Sequence, residues 1–493
     1  MKTILVWLVL TISYFISRLI NLKIIPIFTD EAIYTYWAQV ALHDPANRFI
    51  SLEDGKQPLF IWLAAISQKF INDPLVASRI VSVIAGFGSV IGIYILAKTL
   101  FGQKAAALAS FLYIILPFTL LYDRMALFDS LLTMLGIWAV YFSIKMAQTQ
   151  RLDLALINGG VIGLAIITKS TGIFYLYLLP VSLVLFNFKE KDRNLRLLKW
   201  FGFTLVTVLL SQIIYNSLRL SPLFYIIERK NLEFIRSFSQ VIASPFLFFY
   251  SNINSIVGWV IAYIGLPLFL IFIAVLIYGA VKKKLKIFYL SILIIAPFFA
   301  EVFFNKVLYP RFILFYFPYI IILLSFGIIS IFDNFLKYRK YLILLVTLFV
   351  LIPSINSFKL LTNPKEAKIA DSDAGQYLND WPAGYGVSEI VNILKVKSQK
   401  QDIYVGTEGT FGLLPYALQI YFYDDHSVHI FGFWPVDAET LPAQIIDIAK
   451  NQETYFVFNE NQKEITNSDL KFIEKYQKGK GNSYMRLYQL VLP

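Results

Sequence analysis

The stretch FTDEAIYTYWA, residues 28–38, sets two carboxylates side by side, Asp30 and Glu31, directly after an apolar run. A third acid, Asp129, stands in YDRMALFDSLLTML together with Asp123 and Arg124. Positions 125 and 129 are i and i+4, so Asp129 points along the helix that continues from there. Three isolated cations accompany these acids: Lys56 in DGKQPLFIW, Lys169 in IITKSTG and Arg311 in VLYPRFILFYFPY. Each is embedded in apolar sequence with few local partners. Ionisable groups at membrane depth cost about 2.5–3.5 kcal/mol each on insertion scales and usually serve function. Carboxylates and unpartnered cations collected at one membrane face suit an anionic, membrane-delivered substrate.

The same residues also have plain structural readings. Thr-Asp ahead of a helical run is an N-cap signal. Tyr34, Tyr36 and Trp37 fit an interfacial aromatic belt as well as sugar stacking. Asp123 and Arg124 fit a local ion pair, and Lys169 and Arg311 fit cations that snorkel from helix ends. His43 reads as a loop residue rather than a ligand.

The elements that must position these groups are membrane helices. The 493 residues are 57% hydrophobic, 17% aromatic and only 15% charged, where soluble chains run about 45–50% apolar and about 25% charged. Runs near the length of about 20 residues that spans a bilayer core lie at 3–20, 76–97, 105–122, 130–147, 199–218, 255–280, 287–304, 311–332 and 341–356. A longer apolar stretch, 155–187, is interrupted at TKSTG. The start, MKTILVWLVL, imitates a signal peptide but lacks a small-residue cleavage site, and reads as an uncleaved first span.

Charge sets the expected topology. Basic clusters at Lys98 and Lys104, at Lys145 and Arg151, at 189–199, at 282–286 and at 337–340 all fall on one side, the cytoplasmic one, if 155–187 crosses twice and turns at Lys169. The expectation is a polytopic α-helical membrane protein of about eleven spans in the cytoplasmic (plasma) membrane. Its N-terminus is cytoplasmic, and its outer loops are 21–75, 123–129 and 219–254. Within the last of these, FYIIERKNLEFIRSF has the pattern of a helix lying in the interface plane.

Residues 1–356 form the membrane part and 357–493 a different unit. The tail holds 13 Lys and Arg against 17 Asp and Glu, although the whole chain carries +12. Short apolar runs such as QDIYVGTEG, HSVHIFGFWP and ETYFVFNE alternate there with helical patterns, which argues a small extracytoplasmic α/β domain. Its last two runs, LKFIEKYQKG and NSYMRLYQLVLP, read as a closing hairpin. GTEGTFG lacks the glycine spacing of a phosphate-cradling loop, and no nucleic-acid-binding pattern is present. Cysteine is absent, which rules out disulfide and thiolate chemistry.

In that order, FTDEAIYTYWA, GKQPLFIWL, DRMALFDSLLTML, GLAIITKSTG and YPRFILFYFP resemble motifs of one family over about residues 1–330. It comprises the protein O-mannosyltransferases and the lipid A aminoarabinose transferases, which share the GT-C fold. The resemblance implies transfer of a sugar from a polyprenyl-phosphate carrier, with inversion, to an extracytoplasmic acceptor whose identity stays open. It assigns the first-loop acid to Asp30 with Glu31 beside it, the second-loop acid to Asp129, and the carrier-phosphate lysine to Lys56. Arg124, Lys169 and Arg311 match recurring basic positions. The aminoarabinose transferases carry Glu-Lys-Pro-Pro where this chain has Gly55-Lys56-Gln57-Pro58. That Glu is a metal ligand in some relatives, so a divalent ion is in doubt here, with Asp54 or Glu53 as substitutes.

On this reading Asp30 is the general base, with Glu31 and Asp129 orienting it or holding sugar hydroxyls. Lys56, supported by Lys169 and Arg311, stabilises the lipid phosphate as it leaves. Tyr34 and Trp37 flank the sugar. A rival reading is a lipid-linked sugar flippase or other transporter, but transporters place ionisable residues near the midplane of matching halves, and no halves repeat here. A membrane anchor with a partner-binding tail is a third reading, for which so many spans are excessive.

Overall fold

The computed structural model describes residues 2–437, 439–463 and 465–492. Apolar runs in lipid fold as helices because every backbone N–H and C=O must be satisfied within its own segment. Among the described residues six helices are long and apolar enough to cross a membrane: Pro74–Phe101, Phe128–Thr149, Arg193–Leu220, Leu285–Phe304, Phe317–Asn334 and Leu336–Thr362. Two bent pairs raise the number to eight if each counts as one span. The expected count of eleven is therefore not reproduced: the first expected span is a shorter apolar helix, Ile4–Leu19, and breaks in the helices account for the rest. The predicted span 105–122 bends by 64° between Ile115 and Pro117, and 255–280 turns by 115° around Gly265. Gly265 has φ +85° and Pro267 follows in the first turn of the next helix, so the ladder cannot continue across it. The stretch 155–187 divides at Lys169 into two short apolar helices, Leu152–Ile166 and Ser170–Leu185.

Burial ranks these helices. The membrane windows of Pro74–Phe101 and Phe128–Thr149 are 67% and 72% buried within the protein, whereas those of Arg193–Leu220 and Leu336–Thr362 are 17% buried and present their apolar sides outward. The protein is thus a multi-pass membrane protein with two central helices that pack against each other.

Two buried polar networks tie the loops to this centre. In the first, Arg79 forks onto Glu31, with Nε to Oε1 at 2.8 Å and Nη2 to Oε2 at 2.7 Å. Both side chains are 0% exposed. The guanidinium also donates to the carbonyls of Leu22, Ile25 and Pro26, and Glu31 accepts the backbone N–H groups of Phe28 and Ala126. In the second, Arg18 donates to Asp123, which also accepts from Tyr113 and Ser130. Asp123 and Arg124 do not form the local ion pair considered above. Arg124 instead donates to the carbonyls of Ser17, Arg18, Ile20 and Asn21, at and just past the end of the first helix, where carbonyls lack helical N–H partners.

The tail contains a five-stranded sheet ordered β2-β1-β3-β5-β4, where β1 is Ile403–Glu408, β2 Val428–Phe433, β3 Glu453–Phe458, β4 Leu470–Gln477 and β5 Tyr484–Leu490. β1 runs parallel to β2 and β3, and β5 is antiparallel to β3 and β4. The sheet unit seats on the segment between the first helix and Pro74–Phe101. Thr29 N–H donates to Pro382 and Gly384 N–H to Ile27, Tyr36 stacks on Tyr416, and Gln39 donates to Ile420. Directly after β4, Lys478 is fully buried and donates to the Trp381 carbonyl and the Asn459 side chain.

Two predictions follow from these buried charges. Arg79→Met leaves the Glu31 carboxylate buried and unpaired, at a cost of about 3–5 kcal/mol. A marked fall in Tm of the detergent-solubilised protein is the expected reading, and Arg79→Lys will not restore it because a lysine lacks the fork. Burial pulls the Lys478 ammonium from its usual 10.5 to about 7, against the opposing pull of Glu460, Glu408 and Asp380. Between those values the unfolded chain holds a proton that the folded one has released, so stability rises with pH through that window and gains nothing below it. Lys478→Met should flatten this part of the Tm–pH profile; parallel profiles for the two proteins would contradict it.

Candidate functional site

The acids and cations singled out above converge at one end of the helices, carried by breaks in regular structure. Asp30 sits in the first turn of Thr29–His43. Asp129 lies in the first turn of Phe128–Thr149, Lys169 at the break after Leu152–Ile166, and Arg311 in a 3-10 turn, Pro310–Ile313, ahead of Phe317–Asn334. Two ion pairs result. Arg311 Nη1 lies 2.8 Å from Asp30 Oδ2, and Lys169 Nζ lies 2.7 Å from Asp129 Oδ1. The Phe312 ring serves both, with Lys169 at 4.5 Å and Arg311 at 5.9 Å from its centre. Unlike the Glu31–Arg79 pair, each of these pairs keeps one member in contact with solvent: the Asp30 side chain is 24% exposed and that of Lys169 is 20%, while Asp129 is buried.

Lys56 belongs to the same cluster. Burial lowers its pKa below the usual 10.5, Asp30 and Asp54 counteract this, and the nearby Arg311 and Lys169 add to it. Lys56 also lies 5.1 Å from the centre of the Phe234 ring. The loop that holds it is fixed by three contacts: Leu59 N–H to Ile167, Gln57 to the Ser170 hydroxyl, and Ser170 in turn to Asn231. Asn231 belongs to the helix Ile226–Phe234, the segment expected to lie in the interface plane, which here packs against Leu52 and Ile167 through Ile227. Gly55, at φ +65°, is the point of closest approach: an added Cβ would lie 2.6 Å from Lys230 Cβ and 2.9 Å from the Ile226 carbonyl. Lys230 reaches across to Asp54 at 2.9 Å.

The other expected residues lie outside this cluster or behind it. Glu31 is fully buried, with both oxygens engaged, beneath Asp30. Arg124 is buried at the end of the first helix. Tyr34 and Trp37 are 4% and 2% exposed. Tyr34 stacks on Phe128, while Trp37 lies beside Phe411 of the tail. Burial raises the Tyr34 phenol well above its usual 10.0, and Asp30 raises it further. Their rings therefore wall the site from below rather than stand open at it.

A divalent ion finds little support at Asp54 and Glu53. Asp54 is held by Lys230 and, at 3.9 Å, by Lys56, and Glu53 is exposed. Among the described residues no three His, Cys, Asp or Glu side chains come together as a metal site. The residues present do not fit the ion.

Three groups near the site escaped the sequence reading. Arg79 and Glu301 each interrupt an apolar run, which was the available signal. Glu301 accepts from the Tyr316 hydroxyl at 2.8 Å. Asp373, from the segment after the last membrane helix, is buried and accepts from Tyr122 at 2.8 Å and from Tyr263. Burial raises its pKa to about 7. Nothing local in the sequence marks Asp373, because its partners come from two distant helices.

This arrangement of helices, connecting loops and sheet is the fold of the GT-C membrane glycosyltransferases. Residues 55–216 match the sequence model of the dolichyl-phosphate-mannose-protein mannosyltransferase family. Among solved structures, ArnT from Cupriavidus metallidurans in the apo state is similar at a TM-score of 0.58 and 14% identity, over 99% of this chain and 98% of that one. The same protein bound to undecaprenyl phosphate gives 0.56 and 16% over the same shares. The Archaeoglobus fulgidus oligosaccharyltransferase AglB, in complex with an inhibitory peptide and a dolichol-phosphate, gives 0.54 and 13%, over 93% of this chain and 69% of that one. No curated protein sequence matches at a significant level.

Gly55→Ala tests the packing of this site. Positive φ on a residue with a Cβ costs about 1–3 kcal/mol, and the clash with Lys230 and Ile226 displaces the helix Ile226–Phe234. Faster limited proteolysis within residues 219–248 is expected, and an unchanged digestion pattern would contradict it.

Proposed function

We propose that the protein transfers a sugar from a polyprenyl-phosphate carrier, with inversion, to a hydroxyl acceptor on the extracytoplasmic side of the membrane, where the tail domain also lies. The observation that carries this reading is the solvent-reachable Asp30–Arg311 pair with Lys56, Lys169 and Asp129 around it, on a fold whose similar structures hold lipid phosphates. The pair is the resting form of the site. An incoming anionic donor competes for Arg311 and releases the Asp30 carboxylate.

The acceptor oxygen then attacks the anomeric carbon from the face opposite the phosphate. Asp30 takes the hydroxyl proton, the bond between the anomeric carbon and the phosphate oxygen breaks, and the bonding electrons leave with the lipid phosphate. One base suffices for a single displacement. The leaving phosphate gains about one unit of negative charge, and Lys56 and Arg311 bind that state better than the ground state. Asp129 fixes Lys169 and faces the sugar. Glu31, held by Arg79, acts as a positioning residue that fixes the helix turn bearing Asp30. Carrier translocation without transfer is the weaker alternative, because these charges gather at one end of the helices instead of at the middle.

Asp30→Asn should lower transfer by about 10²–10⁴-fold with a modest fall in Tm, since the amide oxygen can still accept from Arg311 while the charge partner of that mostly buried guanidinium is lost. Activity is read as sugar gained by glycoconjugates in cells with and without the protein, analysed by mass spectrometry. Normal transfer by the Asn variant would remove Asp30 from the role of base.

A further inference from the structure

A cavity of about 970 Å³ opens at the other end of the same helices and plays no part in the proposed reaction. Lys98 and Lys145 line it, and they lie on the two central helices that begin near the outer-loop cluster. At about 1.5 Å of rise per residue, Lys98 is about 29 Å along its helix from Arg79, and Lys145 about 24 Å from Asp129. Lys286 completes the set from the first turn of Leu285–Phe304. No Asp or Glu lines the cavity. Lys98 has no ion-pair partner among the described residues, Lys145 lies 5.8 Å from the centre of the Tyr141 ring, and Lys286 donates only to the Leu100 carbonyl at 2.7 Å. Glu190, on the segment that follows Asn187, is paired with Arg196.

The remaining walls divide into polar and apolar parts. Tyr94 is 3% exposed, and its hydroxyl is buried without a hydrogen-bond partner. Its ring packs at 4.6 Å against Trp7, which also lines the cavity. Leu185 and Phe186 form an apolar flank where hydrocarbon could lie. Three lysines without an anion and an apolar wall at a helix-end level match the chemistry of a phosphate-headed lipid.

We propose that this cavity binds the phosphate head of a membrane lipid, with Lys98, Lys145 and Lys286 around the phosphate, and an acyl or prenyl chain along Leu185 and Phe186. The site is separate from the Asp30 cluster, so it stands whether or not the transfer reaction does. The test is photo-crosslinking of the full-length protein in phosphatidylcholine vesicles containing a trace of diazirine-labelled phosphatidylglycerol, followed by peptide mapping. Labelling is expected on peptides from 94–101, 141–148 and 184–187, and it should exceed that from labelled phosphatidylcholine. Each Lys→Gln change should weaken labelling about fivefold, and the triple variant about a hundredfold. The triple Lys→Arg variant keeps the charge and should keep the labelling, which separates loss of the site from loss of the fold. Undecaprenyl phosphate that displaces the probe would identify a carrier lipid as the occupant, and failure to displace it would identify a bulk phospholipid. Equal labelling by the two headgroups, or an unchanged pattern in the triple Gln variant, would overturn the proposal.

Discussion

The structure depends most on the buried pair of Glu31 and Arg79. A fully desolvated ion pair is stable only if its remaining hydrogen-bonding capacity is met, and here it is met by five backbone groups. Arg79 collects three carbonyls from the start of the first outer loop. Glu31 collects the N–H of Phe28 at the head of its own helix and that of Ala126 in the second outer loop. The pair therefore fixes both loops to a central membrane helix, and with them the directions of Asp30 and Asp129. The partners of Arg18, Asp123 and Arg124 make a second clamp of the same kind at the end of the first helix.

Adjacent acids so end up in different environments. Asp30 is one residue from Glu31, yet its side chain stays 24% exposed and pairs with a distant arginine, while Glu31 has no exposure at all. Helical geometry accounts for the divergence, since neighbours in a helix point about 100° apart and only one of them can face the core. A charge that must be desolvated to hold the fold and a charge that must stay reachable can then occupy consecutive positions. The tail domain supports the same turn from outside, through Pro382 on Thr29 and Tyr377 on Phe28.

The two ends of the helices also differ in how charge is managed. At the outer-loop end every cation in the cluster has an acidic partner, so the site rests neutralised and an anion must displace a carboxylate. At the other end Lys98, Lys145 and Lys286 face a cavity without acids, which leaves a standing demand for an anion. The same helices that rigidly place Asp129 also carry Lys145, and the distance between the two chemistries is set by helix rise alone.

Composition and spacing alone determined the membrane class, the acidic first loop, the cation positions and the short strands of the tail, because hydrophobic period and charge placement are local properties. They determined which cations gather with Asp30 only through the order of motifs. The number of spans was not legible: Gly265 and Pro117 bend runs that read as continuous, and a bend depends on backbone angles that hydropathy does not report. Pairing was decided by tertiary structure. Asp123 next to Arg124 reads as an ion pair, yet each finds its partner in the first helix, 105 residues away for Asp123 and Arg18. Asp373 carries no local mark, and it becomes part of the site region only because Tyr122 and Tyr263 meet it there. A buried charge takes the partner that best satisfies it after desolvation, and the fold, not the sequence neighbourhood, supplies that partner.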